Sequence, residues 1–241
     1  MRALCFDLDN TLQDLDSAFD TAAARVLGPF GVAQGLNLMG IKAALTETWP
    51  SVWTEFMEAK RPEPSLYPEW FARAFRFLDV PVSPAQLSEL VSGYHQEFER
   101  SLGLYPDVER ALARIAEWPK PPVLAILTNG PSERQRRRIR ALGLDRVFSH
   151  VVTSEDAGVG KPHPQFFWCA LNVLKVQPEH AVMVGDTLDT DVAGARAVGM
   201  KSIWVNRSVA EAPRKELADA AVGSLDEAVG VLEEWMIAEC D

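Results

Sequence analysis

Five apolar runs of strand-like length recur along the chain, and each ends in polar residues or glycine. Each run after the first follows a helical pattern, such as VERALARIAEW or PQFFWCALNVL. Continuous apolar strands that alternate with helices are typical of parallel sheets covered on both faces. The pattern therefore predicts an α/β fold whose strands are RALCFD at 2–7, PVLAILTNG at 122–130, SHVVTSEDAG at 149–158, AVMVGDT at 181–187 and KSIWVN at 201–206.

The stretch between the first and second strands breaks this alternation. It contains no clear strand and is interpreted as several helices, one of which starts at Ser83-Pro84-Ala85-Gln86 with a capping box. We therefore predict a parallel-sheet core formed by 1–13 and 105–241, and an all-helical domain formed by 14–104. An insertion after a strand lies near the strand ends at which open α/β sheets bind ligands.

The composition limits the classes of partner. The 241 residues carry a formal net charge of −10, which disfavours binding to nucleic acid polymers or to anionic membranes. The basic run ERQRRRIR at 133–140 is interpreted as a solvated helix face, with phosphate binding by its first turn as the alternative. Three scattered cysteines without metal-ligand spacing, and no long apolar run, favour a cytoplasmic protein.

Polar side chains of a particular kind follow four of the predicted strands or lie just beyond them. In a parallel sheet the carboxyl ends of all strands lie along one edge, so these side chains are predicted to converge on one cleft. Each motif alone is common in ordinary loops and turns, but their joint occurrence at strand ends is not expected by chance. The candidates are Asp7, Asp9 and Thr11, then Thr128 and Asn129, then Lys161, and finally Asp186, Asp189 and Asp191.

These residue types are suited to phosphoryl transfer. An ionised Asp7 needs no activating base to attack phosphorus, and Asp9 is placed to exchange a proton with the leaving oxygen and then with water. A dense group of carboxylates requires a hard cation, for which Mg²⁺ is the best candidate. Thr128 and Asn129 offer donors to phosphoryl oxygens, and Lys161 offers a positive charge.

DLDNT at 7–11, TNG at 128–130, the lysine of GVGKPHP and GDTLDTD at 185–191 together resemble the four motifs of the haloacid dehalogenase-like (HAD) hydrolase superfamily. The position of the insertion is similar to that of the subfamily with a helical cap. The resemblance implies a Rossmann-like core and Mg²⁺. It also implies these roles: Asp7 as nucleophile, Asp9 as general acid and base, Thr11 as orienting residue, Thr128, Asn129 and Lys161 as phosphate ligands, Asp7, Asp186 and the Asp9 carbonyl as metal ligands, and Asp191 as an indirect metal partner; Asp189 is assigned no role.

The resemblance leaves several functions to compare. Family dehalogenases lack the second aspartate of the first motif, so Asp9 argues against dehalogenation. Phosphonate hydrolases of this type use a cap lysine, and neither Lys42 nor Lys60 lies in a pattern typical of a reactive lysine. A phosphatase acting on a small soluble phosphomonoester, such as a nucleotide or sugar phosphate, is favoured. A phosphomutase and a non-catalytic binding module are the remaining alternatives.

The insertion is expected to select the substrate. Aromatic side chains could stack on a base or sugar, although Trp49 and Trp53, four residues apart, are better explained by packing within the domain. Arginines could meet a second anionic group of the substrate. The candidates are Trp49, Trp53 and Trp70, with Arg25, Arg61, Arg73, Arg76 and Arg100. The oligomeric state cannot be inferred from the sequence.

Overall fold

The computed structural model of the protein describes residues 1–58, 65–207 and 217–238. Its centre is a parallel sheet of six strands in the order β3-β2-β1-β4-β5-β6. The predicted α/β class is confirmed. The strands are β1 (Ala3–Phe6), β2 (Val123–Thr128), β3 (His150–Thr153), β4 (Ala181–Gly185), β5 (Lys201–Val205) and β6 (Ala220–Val222).

Two details differ from the sequence prediction. The third strand was predicted to continue to residue 158, but it ends at Thr153 because the Thr153 side chain caps a short helix that starts at Ser154. The side chain of Asp156 bonds the Thr153 backbone in return, which completes the capping box. Strand β6 was not predicted, since its apolar run is only three residues long.

Helices surround the sheet. Alternate residues of β1 point to opposite faces, so that Leu4 and Phe6 join one apolar core while Ala3 and Cys5 join the other. Both faces are therefore covered, as predicted for a parallel sheet. These helices are α6 (Val108–Ala116), α7 (Ser132–Ala141), α8 (Ser154–Ala157), α9 (Pro164–Leu174), α10 (Ala193–Ala197) and α11 (Leu225–Ala238).

The basic run at 133–140 lies in α7 and corrects the interpretation of a wholly solvated face. Arg137 and Arg140 are exposed, but Arg134 and Arg138 are buried on the side that Ile139 also occupies. Gln135 lies on the same buried side, 2% exposed. The run is thus a charged helix with one inward face.

The chain divides into two compact units, of which the first comprises Met1–Asp14 with Leu104–Asp241 and the second comprises Leu15–Gly103. The predicted domains differ from this division by one residue at each junction. The regular elements described in the second unit are all helical, and one of them starts with the capping box of Ser83 and Gln86. Its helices are α1 (Leu15–Ala22), a π-helical turn (Ala23–Leu27), α2 (Gly28–Ala33), α3 (Leu38–Glu58), α4 (Leu66–Phe77) and α5 (Pro84–Ser101).

An aromatic cluster forms the core of the second unit, and we define it as Phe19, Trp49, Trp53, Tyr67, Trp70, Phe71 and Tyr94. The rings of Trp49 and Trp53 stack with centroids 5.4 Å apart, as within-domain packing requires. The Trp70 indole donates to the Leu45 carbonyl at 2.8 Å. Most of the charged candidates of this unit form ion pairs: Arg25 with Glu97, Lys42 with Asp20, and Arg73 and Arg76 with Glu69. Arg100 is exposed. Lys60 and Arg61 lie outside the described residues.

Within the described parts of the chain, no helix combines the length and the apolar character that crossing a membrane would require.

Candidate active site

The order of the strands places the first and fourth motifs side by side. The chain runs outward from β1 through β2 to β3, and then returns to form β4 on the other side of β1. Phe6 is in register with Val184, so the residues that follow, Asp7 and Gly185, leave the sheet together. This reversal of strand order is the point at which open α/β sheets leave a crevice for ligands.

Lys161 lies between two aspartates of this edge. Its ammonium donates to Asp7 Oδ1 at 2.5 Å and to Asp191 Oδ1 at 2.6 Å. All three side chains are less than 10% exposed. The predicted convergence of the first, third and fourth motifs is therefore found in the geometry.

Burial and mutual repulsion shape the charges of this group. Burial raises the pKa of Asp7 well above its ordinary value, although Lys161 opposes this effect. Burial, reinforced by the negative charge of Asp191, raises the pKa of Asp186 to about 6. Burial alone would lower the pKa of Lys161, but Asp191 and Asp7 outweigh it and raise that pKa above its usual range. The Lys161 ammonium is therefore held charged, whereas its single positive charge is too little to balance three carboxylates.

The carboxylates meet the requirements of a hard divalent cation. Ligand oxygens of Asp7, Asp186 and Asp191 lie within 4.8 Å of one another. Three carboxylates surround one ammonium, so the group keeps an excess of negative charge that such a cation would balance. We call Asp7, Lys161, Asp186 and Asp191 the strand-end cluster.

Asp191 differs from the other two aspartates because both of its oxygens already have partners. Oδ1 accepts from Lys161, and Oδ2 accepts from the backbone N–H of Thr187 at 3.1 Å. A Cβ at Gly185 would lie 2.4 Å from Asp191 Oδ2, so only glycine leaves room for this carboxylate. That Asp7 and Asp186 bind a cation directly and Asp191 only indirectly stays a prediction.

Asp9 lies in a closed turn that follows β1. Asn10 adopts a left-handed conformation with φ of 58°, which asparagine tolerates better than most residues. The Asn10 N–H then donates to the Gln13 carbonyl at 2.7 Å. The half-buried carboxylate of Asp9 accepts from the side-chain amides of Gln13 and Gln135, both at 3.3 Å. The Asp9 side chain does not belong to the group of Asp7, Asp186 and Asp191, whose carboxylates could hold a cation.

The second motif has one hydroxyl and one amide in different surroundings. Thr128 is buried at the end of β2, where its Oγ1 accepts from Gln135 Nε2 at 2.6 Å. The Asn129 amide pairs at both ends with the backbone of Lys161, accepting from its N–H at 2.8 Å and donating to its carbonyl at 3.0 Å. Asn129 therefore fixes the Lys161 loop; its contact with phosphate stays a prediction.

Thr11 and Asp186 are connected directly. The Thr11 hydroxyl donates to Asp186 Oδ1 at 3.4 Å, and the Thr187 hydroxyl reaches the same oxygen at 3.3 Å. The indole of Trp204 donates to the Asp186 carbonyl at 2.7 Å. Thr11 thus links the turn after β1 to a carboxylate of the fourth motif. Asp189, to which no role was assigned, is exposed.

Several residues that support the site were not predicted. Arg207 donates to the Thr11 carbonyl at 2.8 Å and to Asp107 at 3.1 Å, which anchors the turn after β1. Gln13 and Gln135 contact Asp9. One signal was available for Gln135, since it lies four residues before Ile139 on a helix and therefore shares its inward face. No local pattern marks Gln13 or Arg207, whose contacts depend on the tertiary fold.

The fold and the site together are those of a Rossmann-like α/β protein that gathers carboxylates and one lysine at the ends of parallel strands. The model of the haloacid dehalogenase-like hydrolase family matches residues 1–199, and the chain belongs to this family. The chain is 30% identical to glyceraldehyde 3-phosphate phosphatase from Pyrococcus furiosus, over 97% of this chain and 93% of that protein.

Solved structures with the same fold include both phosphatases and dehalogenases. A HAD phosphatase from Thermococcus onnurineus is 27% identical, with a TM-score of 0.62, over 96% of this chain and 98% of that one. L-2-haloacid dehalogenase from Xanthobacter autotrophicus has a TM-score of 0.72 at 22% identity, over 97% of this chain and 98% of that one. The second likeness concerns the fold alone.

Proposed function

We propose that this protein is a Mg²⁺-dependent phosphatase that hydrolyses a small phosphomonoester through an aspartyl-phosphate on Asp7. One observation carries the proposal: Lys161 bridges Asp7 and Asp191 beside Asp186, with Asp9 two residues away from Asp7. The set combines a nucleophile, a fixed positive charge and a separate proton carrier, as phosphoryl transfer needs. Its similarity to a phosphatase over nearly the whole chain supports this assignment.

Asp7 performs the first chemical step. A carboxylate oxygen of Asp7 attacks phosphorus, the P–O bond to the alcohol breaks, and an acyl phosphate forms. Lys161, held charged by its two carboxylates, stabilises the negative charge on the phosphoryl oxygens. The Thr128 hydroxyl donates a hydrogen bond to a phosphoryl oxygen. Asn129 keeps the Lys161 loop in place.

Asp9 moves the protons of both steps. It gives a proton to the departing alcohol oxygen and then, as a carboxylate, takes one from the water that attacks the phosphorus of the acyl phosphate. An oxygen leaving group needs this proton and a halide does not. The presence of Asp9 therefore favours hydrolysis of a phosphate ester over dehalogenation.

The carboxylate group fits Mg²⁺ by its chemistry. Asp7, Asp186 and the Asp9 backbone carbonyl would hold the ion, and Asp191 would act on it through Lys161 and the loop at Thr187. When bound, the ion supplies positive charge that offsets the carboxylates and the phosphoryl oxygens.

The substrate class is a small phosphorylated metabolite. The relative from Pyrococcus furiosus carries the name glyceraldehyde 3-phosphate phosphatase, which makes triose phosphates the first compounds to test. The helical second unit is the proposed source of selectivity. We also propose a cytoplasmic location. The free thiols of Cys5 and Cys169 are consistent with it.

A panel of phosphorylated metabolites tests the proposal, with free phosphate and isomeric sugar phosphates both quantified. We expect phosphate release from at least one small monoester with Mg²⁺, and its loss when the metal is chelated. Isomer formation that requires a bisphosphate activator would instead indicate a phosphomutase. Absence of turnover across the panel and on p-nitrophenyl phosphate would contradict the proposal and favour a binding module.

A further inference from the structure

The carboxylate of Asp9 is held on both sides by glutamine amides. Gln13 Nε2 donates to Asp9 Oδ1 and Gln135 Nε2 donates to Asp9 Oδ2, each at 3.3 Å. Both distances are at the long end of the hydrogen-bond range, but the two donors approach different oxygens. Rotation of the carboxylate about its last bond would break both contacts, so the pair restricts its orientation.

The fold delivers the two glutamines from separate elements. Gln13 is fully buried and closes the turn after β1, where its backbone N–H donates to the Leu8 carbonyl at 2.9 Å. Gln135 comes from the first turns of α7, beside Gly130, whose φ is 136°. L side chains rarely adopt this φ, so the turn that leads into α7 favours glycine. Two independent segments therefore converge on one side chain.

Gln13 sits in its position at a cost to stability. Its Oε1 is buried and has no hydrogen-bond partner among the described residues. A buried acceptor without a partner costs roughly 1–3 kcal/mol, so an apolar side chain would stabilise this position better. Rotating the amide by half a turn would place Oε1 against the Asp9 carboxylate instead. The orientation that leaves Oε1 unsatisfied is the one that directs Nε2 toward Asp9.

We propose that Gln13 and Gln135 are positioning residues that together clamp the Asp9 carboxylate in the orientation needed for proton transfer to the leaving oxygen. The inference rests on the proposed phosphatase function. The chemical step is unchanged: Asp9 gives its proton to the alcohol oxygen as the P–O bond breaks and Asp7 bonds to phosphorus. The two amides hold the resulting carboxylate and take no part in the bond changes.

The clamp can be tested through the leaving group. Gln13→Met and Gln135→Met keep the length of the side chain and remove its donors. An activated ester, dinitrophenyl phosphate, needs little help from a proton donor, whereas an alkyl phosphate depends on it. For both esters kcat/KM reports the formation of the acyl phosphate. Gln177→Met is the matched control, because Gln177 is exposed and its side chain makes no capping bond.

We expect kcat/KM on the alkyl ester to fall roughly 10- to 100-fold in either variant, because a misoriented Asp9 would lose part of the roughly 10²- to 10⁴-fold that general acid catalysis contributes. On the activated ester it should stay within about threefold of the unmodified protein, as should the control on both esters. Equal losses on the two esters would overturn the clamp and indicate damage to Asp7 or to phosphate binding. Unchanged kinetics on the alkyl ester would also overturn it.

A double-variant cycle separates the Asp9 contact of Gln135 from its two other contacts, with the Thr128 hydroxyl and the Asn129 carbonyl. Adding Gln135→Met to Asp9→Asn should cost much less than it does in the presence of Asp9, if its effect runs through that carboxylate. An equal cost in both backgrounds would assign the effect of Gln135 to those two other contacts and overturn its part in the clamp. A parent protein inactive on every ester would instead refute the phosphatase proposal itself.

The melting temperature gives an independent readout for Gln13. Because Gln13→Met replaces a buried unsatisfied acceptor by an apolar group, we expect the midpoint of unfolding to be retained or raised by about 2–4 °C. A variant that is slower on the alkyl ester and no less stable has lost a function-specific contact. A large fall in the midpoint would contradict the account of Gln13.

Discussion

The strand-end cluster and the aromatic cluster of the second unit are both buried, but they are held together by different forces. Asp7, Lys161 and Asp191 remain in contact because a charge removed from water is costly unless an opposite charge lies beside it. Phe71, Trp70 and Tyr94 pack by edge-to-face contacts and keep one polar handle satisfied, the bond from Trp70 to Leu45. Removing the buried cation from the first region should therefore cost more stability than removing one contact from the second.

The difference also bears on function. An ion cluster with excess negative charge is an expensive way to build a core, since apolar side chains of similar volume would serve stability as well or better. Such an arrangement is expected where the charges perform chemistry. The aromatic cluster needs no such explanation, because it buries large rings in the ordinary way.

The largest effect is expected for Asp7→Asn, which keeps the shape of the side chain and removes the nucleophile. Turnover of p-nitrophenyl phosphate should fall by at least about 10⁴-fold, as it does when a covalent catalyst loses its attacking group. The amide also relieves repulsion with Asp186 and Asp191, so the melting temperature should not fall. Retained turnover would contradict the role of Asp7.

The second effect concerns stability. Lys161→Met leaves Asp7 and Asp191 buried without their shared cation, and breaking a buried ion pair on one side costs about 3–5 kcal/mol. The free energy of unfolding in urea, measured with a metal chelator present, should fall by that order at neutral pH. An equally stable variant would show that Lys161 does not hold the cluster together.

A smaller effect is expected in the aromatic cluster. Trp70→Phe keeps an aromatic ring among Trp49, Tyr67 and Phe71 and removes the bond to Leu45, so we expect a cost of about 1–2 kcal/mol. Turnover of p-nitrophenyl phosphate should be unaffected. Trp168→Phe, at a position 45% exposed in the first unit, is the matched control. A loss as large as that of Lys161→Met would erase the contrast between the regions.

The smallest effect is a pH dependence at Asp156, which completes the capping box of α8. Burial opposes ionisation of Asp156, but hydrogen bonds from Ser132, Arg136 and Thr153 outweigh it and lower its pKa. A lowered pKa in the folded state adds stability above the ordinary pKa of aspartate, near 4, which is lost as the pH falls through the folded value. The side chain is 37% exposed, so screening keeps the gain below about 1 kcal/mol.

The difference in unfolding free energy between the protein and Asp156→Asn should therefore be constant above about pH 5 and should shrink as the solution is made more acidic. A difference that grows toward low pH would show that the pKa of Asp156 is raised in the folded state.

Prediction from sequence succeeded where a local pattern carries the physical cause. The apolar runs that form β1 to β5 predict a buried parallel sheet, and a parallel sheet brings the carboxyl ends of its strands to one edge. Asp7, Lys161, Asp186 and Asp191 were found in this way. Ser83 and Gln86 were found equally directly, because a capping box is complete within four residues.

Prediction failed where the cause lies in the tertiary fold. The apolar run of β6 is too short to predict a strand, and the segment becomes one by pairing with the edge of β5. The inward face of α7 buries Arg134, Gln135 and Arg138 in a segment whose composition is that of a solvated helix. The partners of Asp9 were missed for the same reason, since Gln13 and Gln135 are brought together only by folding.

The central claim, that Asp7 attacks phosphorus, is tested most directly by trapping the intermediate. The protein would be mixed with substrate and Mg²⁺, quenched within one turnover and treated with borohydride, which reduces an aspartyl phosphate to homoserine. Mass spectrometry of the amino-terminal peptide should then place homoserine at position 7, and only when substrate is present. Phosphate release without homoserine at that position, or with homoserine at another aspartate, would contradict the account.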